Sequence, residues 1–268
     1  MEIKPIAYFR SPFSSKFGIP KQAGLVAGLE GQIVFEPEFR NPDALRGMEG
    51  FDFLWLIWEF SANRHKANSP VVRPPVLGGN EKVGVFATRS PFRPNNIGLS
   101  SVRISHIDWE TPHGPVIYVK GADLMDMTPI FDIKPYVVYA DSHPDARSGF
   151  VDNRKWKKLD VEISEEVERY LLLQGLAAEK IEVLKDVLAQ DPRPHYQKNP
   201  HKVYGMPYEG FDIHFTVCDQ TLTVVKKTFW ILSCKLTLRN FRNVRFLTES
   251  CRLHQYSWLP WCRRYWSF

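Results

Sequence analysis

Within its first 140 residues the chain offers seven or so short runs rich in β-branched and aromatic residues, separated by Pro, Gly and Asn and by no helical period. The runs are Ile3 to Arg10, Gly31 to Phe35, Phe53 to Phe60, Val83 to Thr88, Gly98 to Ile107, Val116 to Gly121 and Ile130 to Tyr136. So many strands in succession, without intervening helices, point to a closed or nearly closed barrel. The run Phe53-Leu54-Trp55-Leu56-Ile57-Trp58 is apolar on both faces, which suits a strand buried on one side and covered on the other by a further layer such as a second subunit.

Near Asp141 to Gly149 the sequence turns polar and reads as a linker. Beyond it, Ser164 is placed to cap a helix carrying Glu165 and Glu166 in its first turn, with Val167 and Leu171 on one face. Ile181, Leu184 and Leu188 repeat the helical spacing in a second segment, which should stop before Asp191 because Pro192 disfavours helix in the residue ahead of it. Short strands around Tyr204, from Phe211 to Val217 and from Leu222 to Val225 complete the pattern. The expected fold is therefore mainly β: an N-terminal barrel over 1–140, a small α+β domain over 150–226, and a tail over 227–268.

That tail follows neither period. From Thr228 onward seven basic residues (Lys235, Arg239, Arg242, Arg245, Arg252, Arg263, Arg264) face one acid, Glu249, so it carries +6 of the chain's net +5 and leaves the body at −1. Three of the four cysteines and four of the eight tryptophans also lie there, and the segment is expected to be foreign to the fold, as if read from another frame. With the body near neutral, any nucleic-acid surface on it must be a local patch.

The composition, 44% hydrophobic and 24% charged over 268 residues, is that of a folded protein. No stretch of about 18 apolar residues occurs, and the start Met1-Glu2-Ile3-Lys4-Pro5 lacks a secretory h-region, so a soluble cytoplasmic protein without a membrane partner is expected. No C-x-x-C pair is present and His and Cys do not cluster at zinc-ligand spacing, which argues against a metal site and against a disulfide framework. A strand followed by G-x-G-x-x-G, a P-loop and the serine-hydrolase signature are all missing, so the usual nucleotide folds lose support.

Three segments carry potential chemistry. Ala87 to Leu99 sets Arg89, Arg93, Asn95 and Asn96 in a Pro- and Gly-stiffened loop, able to present guanidinium forks to a carboxylate or phosphate at little entropic cost; the alternative is a solvated surface loop. Gly121 to Pro129 places Asp126 where it can accept from ribose hydroxyls or an amino group, with the backbone of Met127 and Thr128 reading an adenine edge, unless it is an ordinary Asx-type turn. Asp191-Pro192-Arg193-Pro194-His195-Tyr196 offers an acceptor, a carbonyl and a stacking ring for an exocyclic nitrogen. Together with Lys198, His201 and Lys202 it forms a basic, aromatic patch suited either to RNA or to a solvated face.

Taken in order, Arg10-Ser11-Pro12-Phe13, Gln22-Ala23-Gly24-Leu25, Arg73-Pro74-Pro75, Leu77-Gly78-Gly79-Asn80, Gly84 to Ser90, Phe92-Arg93-Pro94-Asn95, Asp123-Leu124, Thr128-Pro129, Asp132 to Tyr136 and Asp191 to Pro194 closely resemble the TrmO/TsaA-type tRNA methyltransferases over roughly residues 1–226. The resemblance implies a β-barrel that is not a Rossmann fold, binds S-adenosylmethionine, commonly pairs as a homodimer, and N6-methylates threonylcarbamoyladenosine beside the tRNA anticodon. It assigns cofactor contact to Ala23, Gly24, Leu25, Arg89, Leu99, Asp126, Met127, Thr128 and Pro129, and to Arg64 and His65 in a loop where Ser61 replaces the family's histidine. Methyl transfer from a sulfonium is an in-line displacement that asks the protein mainly for alignment. Arg89 or Arg93 would clamp the methionine carboxylate. Asp191 and Tyr196 would serve the target amine, with Arg193, His195 and Lys198 on RNA. The competing reading is a non-catalytic S-adenosylmethionine or nucleotide-binding regulatory module. The reading requires Arg89, Leu99 and Thr128 to share one cavity.

Overall fold

Alternation of buried and half-exposed positions along β1 (Ala7–Arg10), β2 (Glu30–Phe35) and β3 (Phe53–Glu59) marks strands with one face in a core. In this computed structural model the described residues are 2–63, 69–74, 77, 81–152, 157–194 and 199–225, and all of them belong to one compact unit, Met1–Leu232. The strands β4 (Val71–Val72), β5 (Val83–Gly84), β6 (Ile97–Thr111), β7 (Gly114–Lys120) and β8 (Thr128–Pro135) follow in chain order. Six of these close a barrel in the order β1-β2-β7-β6-β3-β8, with β8 pairing back onto β1, and every one of its ladders is antiparallel. Closure removes the exposed edges that a sheet of this size would otherwise present. Phe9, Ile33, Leu54, Leu56, Ile117 and Ile130 fill its interior with almost no exposure.

The expected strand from Val83 to Thr88 is only half present. After Val83–Gly84 the chain turns, because both the amide and the hydroxyl of Thr88 donate to the Val85 carbonyl, at 3.2 and 2.8 Å, and so divert it from a ladder. Conversely, β6 runs longer than expected, since Thr111 pairs with Gly114 across a tight turn that Gly114 permits with φ +74.

A second core lies beyond α1 (Val138–Asp141). Ser164 caps α2 (Glu165–Leu173) by accepting from the Val167 amide, and α3 (Ala178–Ala189) follows. Strands β9 (Asp160–Glu162), β10 (Tyr204–Tyr208), β11 (Phe211–Cys218) and β12 (Thr221–Val224) form a sheet in the order β10-β11-β12-β9, with β9 parallel to β12. Leu171, Ile181, Leu184, Leu188, Ile213 and Phe215 are buried between helices and sheet, and so are Phe13, Val26 and Leu29 from the N-terminal segment. That segment therefore belongs to both halves of the unit. The foreign tail expected after 227 lies outside the described residues.

Candidate active site

The segment between β1 and β2 leaves Phe13 in the second core and stacks Phe17 on Tyr204 and Phe215, with near-parallel rings at 6.4 and 6.3 Å. This anchoring carries Lys16, Ile19, Pro20, Lys21 and Gln22 to the mouth of a cavity of about 550 Å³ at one rim of the barrel. Its volume falls within the roughly 300–1,000 Å³ of small-molecule sites. The opposite wall comes from the end of β3 (Trp55, Trp58 and Glu59), the start of β6 (Gly98 and Leu99), and Asp123, Met125 and Thr128 around the β7–β8 connection.

Arg89, Leu99 and Thr128 all line this cavity. Ala23 lines a neighbouring one of about 400 Å³ that it shares with Arg89 and Leu99. Gly24 stitches the turn to the barrel: its φ of +82 is one that glycine reaches without strain, and its amide donates to the Gly121 carbonyl at 2.8 Å. Leu25 is partly exposed beside it. Gly24, Leu25, Asp126, Met127 and Pro129 are absent from the described linings of both cavities. Their connection is nonetheless tightly built. The Asp126 carboxylate accepts from the Ser11 amide at 3.1 Å and lies 3.8 Å from Arg10, the Met127 amide (φ +61) donates to the Phe9 carbonyl, and Pro129 pairs with Tyr8. Arg64 and His65 lie outside the described residues.

The two loop arginines divide their labour. Arg93 donates to the carbonyl of Thr88 at 2.7 Å and so staples its own loop. Arg89 donates one Nη1 bond to Gln22 Oε1 at 2.7 Å. A guanidinium has five N–H donors, so most of that fork remains available to a bound carboxylate.

Asp191 and Arg193 close on each other. The guanidinium donates Nε to Oδ1 at 2.8 Å and Nη2 to Oδ2 at 3.0 Å, and the arginine side chain is only 13% exposed. Although burial pushes the Asp191 carboxyl up, its hydrogen bonds and charge pairing with Arg193 outweigh this and hold it below the ordinary value. A carboxylate so engaged is a weak proton acceptor, and an arginine so engaged is not presented as an open fork. Neither residue is in the described lining of the cavities, though Lys21 at the mouth acts electrostatically on Asp191. His195, Tyr196 and Lys198 lie outside the described residues.

Sequence reasoning passed over Trp55, Trp58, Ser100 and Asp123 as site residues. The Trp58 indole N–H donates to Ser100 Oγ at 3.0 Å, and the Ser100 hydroxyl donates to Asp123 Oδ1 at 2.6 Å. No local pattern marks this pairing, because two register shifts along β6 and β7 lie between their connecting turn and the end near Ser100 and Asp123. Among the described residues no group of three or more His, Cys, Asp or Glu side chains is placed to hold a metal ion, and no helix is long and apolar enough to cross a membrane.

A mainly β protein with a closed antiparallel barrel, whose rim loops enclose a cofactor-sized cavity, is the class that fold and site define. Residues 8–142 match the tRNA-methyltransferase O N-terminal domain and residues 156–228 the TrmO C-terminal domain, so the chain belongs to the TrmO family. It is 38% identical over 223 residues to a tRNA (adenine(37)-N6)-methyltransferase of Escherichia coli (strain K12), covering 81% of this chain and 94% of the relative. It is 40% identical over 216 residues to a Pseudomonas aeruginosa protein provisionally named S-adenosylmethionine-dependent methyltransferase RcsF, covering 80% and 91%. A crystal structure of TrmO from Pseudomonas aeruginosa superposes with a TM-score of 0.65 at 32% identity, covering 84% of this chain and 96% of that one.

Proposed function

We propose that this chain transfers a methyl group from S-adenosylmethionine to N6 of adenine 37 in tRNA, the adenine already carrying its threonylcarbamoyl group. The observation that carries the reading is the convergence of Arg89, Leu99 and Thr128 on one cavity of about 550 Å³ in a chain of this family. The donor set fits the cofactor. Arg89 suits the methionine carboxylate, Leu99 and the rings of Trp55 and Trp58 suit the adenosine face, and Thr128 lines the same cavity. When bound, the sulfonium supplies an activated methyl group, and the protein's residues hold donor and acceptor in line. Ala23 to Leu25 and Asp126 to Pro129 shape the turns that frame the cofactor, with the barrel over 1–140 as its domain. Lys16 and Lys21 line that cavity and supply the positive charge that steers the tRNA backbone to it. The setting for such a substrate is the cytoplasm.

Incubating the protein with S-adenosylmethionine and tRNA should add one methyl mass to the modified nucleoside. Cofactor binding with no added mass would favour a non-catalytic binding module instead. Arg89→Ala is expected to weaken S-adenosylmethionine binding by about tenfold, the worth of one charge-assisted hydrogen bond to a carboxylate. Equal affinity in calorimetry would remove Arg89 from the site.

The same reading includes a homodimer. On the connection between β5 and β6, Phe86 is 78% exposed and Phe92 48%, apolar surface that a second copy would cover. Sedimentation equilibrium should return twice the 31.1 kDa chain mass; a monomer at micromolar concentration would refute the pairing.

A further inference from the structure

Gln22, Trp55, Arg89, Leu99 and Asp123 line both the cavity of about 550 Å³ and its neighbour of about 400 Å³. The two are lobes of one cleft with a shared wall. The smaller lobe is also lined by Phe53 and Tyr136, and with Trp55 these form an aromatic corner, ring centroids 6.1 and 5.6 Å apart about Tyr136. Such a corner suits a nucleobase removed from its stack.

Asp123 is the carboxylate that the described linings of both lobes share; Glu59 lines the larger and Asp141 the smaller. Its orientation is imposed. An indole N–H can only donate, so the bond from Trp58 occupies an acceptor site on Ser100, whose single proton is directed to Asp123 Oδ1 at 2.6 Å. Ser100 is 2% exposed and has no freedom to turn away. An N6 nitrogen conjugated to a purine ring and to a carbonyl is a poor nucleophile until its proton leaves, so transfer to it needs an acceptor within reach.

We propose that Asp123 is the catalytic residue that accepts the N6 proton as the methyl group passes, alongside this shared wall, from a cofactor in the larger lobe to a base in the smaller. This rests on the methyltransferase reading above. The N6–carbon bond forms as the methyl–sulfur bond breaks and its electron pair stays on sulfur. The N6–H pair stays on nitrogen, the proton passes to the Asp123 carboxylate, and the sulfonium charge is discharged. Burial supports the role by raising the Asp123 carboxyl above its ordinary value, against the lowering effects of Ser100 and Arg89.

The test is Asp123→Asn, which keeps an acceptor for Ser100 but cannot take a proton. Single-turnover methyl transfer at saturating S-adenosylmethionine and tRNA is expected to fall about a hundredfold or more, while S-adenosylmethionine affinity measured by calorimetry without tRNA stays within about threefold. Ser100→Ala removes a bond that lowers the carboxyl's pKa, so the rising limb of the pH–rate profile should move to higher pH. Carbon-13 titration of the Asp123 carboxyl in the ligand-free protein should move the same way. An unchanged rate in Asp123→Asn, or an affinity loss of more than tenfold with the saturated rate intact, overturns the assignment, as does Glu59→Gln abolishing the rising limb. Should Asp123→Asn not fold, an unmoved titration in Ser100→Ala overturns it. Wild type that methylates no tRNA overturns the function itself; wild type that methylates while Asp123→Asn keeps pace overturns only the proton acceptor.

Discussion

Phe13→Ala is expected to cost the fold about 3–5 kcal/mol, the range for emptying a buried aromatic site, and to weaken S-adenosylmethionine binding in the same protein. The ring is fully buried in the second core, edge-on to Tyr208 at 5.7 Å. Its backbone looks the other way. The Phe13 carbonyl accepts from the Asp126 amide at 2.8 Å, the Asp126 carboxylate accepts from the Ser11 amide at 3.1 Å, and the Pro12 carbonyl accepts from the Glu209 amide at 3.0 Å. Removing the ring therefore loosens a segment that ties the β10–β11 turn to the connection carrying Thr128 into the cavity. Chemical denaturation gives the stability loss and calorimetry the affinity. A variant destabilised by the full amount but with native affinity would show that the second core does not support the site.

Much of this architecture was readable in the residues because it is written locally. β-Branched and aromatic runs between Pro, Gly and Asn located the six barrel strands, and the Ser164 cap and the Ile181, Leu184, Leu188 spacing located both longer helices. What escaped depended on distant partners. Strand β9 is three residues with a single apolar side chain, Val161, and exists because β12 offers it a parallel edge. Val83 to Thr88 has strand-like composition, yet a hydroxyl three residues on competes for the Val85 carbonyl and wins.

The same division holds at the site. Arg89 and Thr128 stood out because residue type and turn chemistry suggested a ligand. Asp126 and Asp123 were indistinguishable as types. Packing separates them, placing Asp126 against Ser11 and Arg10 and Asp123 behind Ser100 on the cleft wall. Arg193 shows the converse: a basic residue in a basic stretch looks available to RNA, while its actual partner is the carboxylate two residues before it. Sequence reveals which groups are chemically capable; the register of β6 on β7 and the closure of the barrel decide which of them face the same space.

Gly98→Ala should be among the most damaging single-methyl changes near the cleft. A Cβ at this position would sit 2.5 Å from Cζ2 and 2.8 Å from Cδ2 of Trp58, and closer still to Cε2, distances that real Cβ atoms essentially never show. Only a shift into the cleft would relieve the clash. Trp58 is 7% exposed, packs edge-on against Phe60 with centroids 4.3 Å apart, and is held by its bond to Ser100. Overpacking costs about 1–3 kcal/mol, and losing the indole bond about 1 more, so roughly 3 kcal/mol is expected from denaturation midpoints. Function should suffer through geometry as well as stability, because displacing Trp58 removes the donor that commits the Ser100 proton to Asp123. Methyl transfer should therefore fall even at temperatures where the variant is fully folded, with cofactor affinity less affected than rate. Trp58→Phe in the Gly98→Ala background removes part of the offending ring, and should restore stability without restoring rate. If it restores both, the tryptophan matters only as packing, and the hydrogen-bonded chain from Trp58 through Ser100 to Asp123 has no part in catalysis.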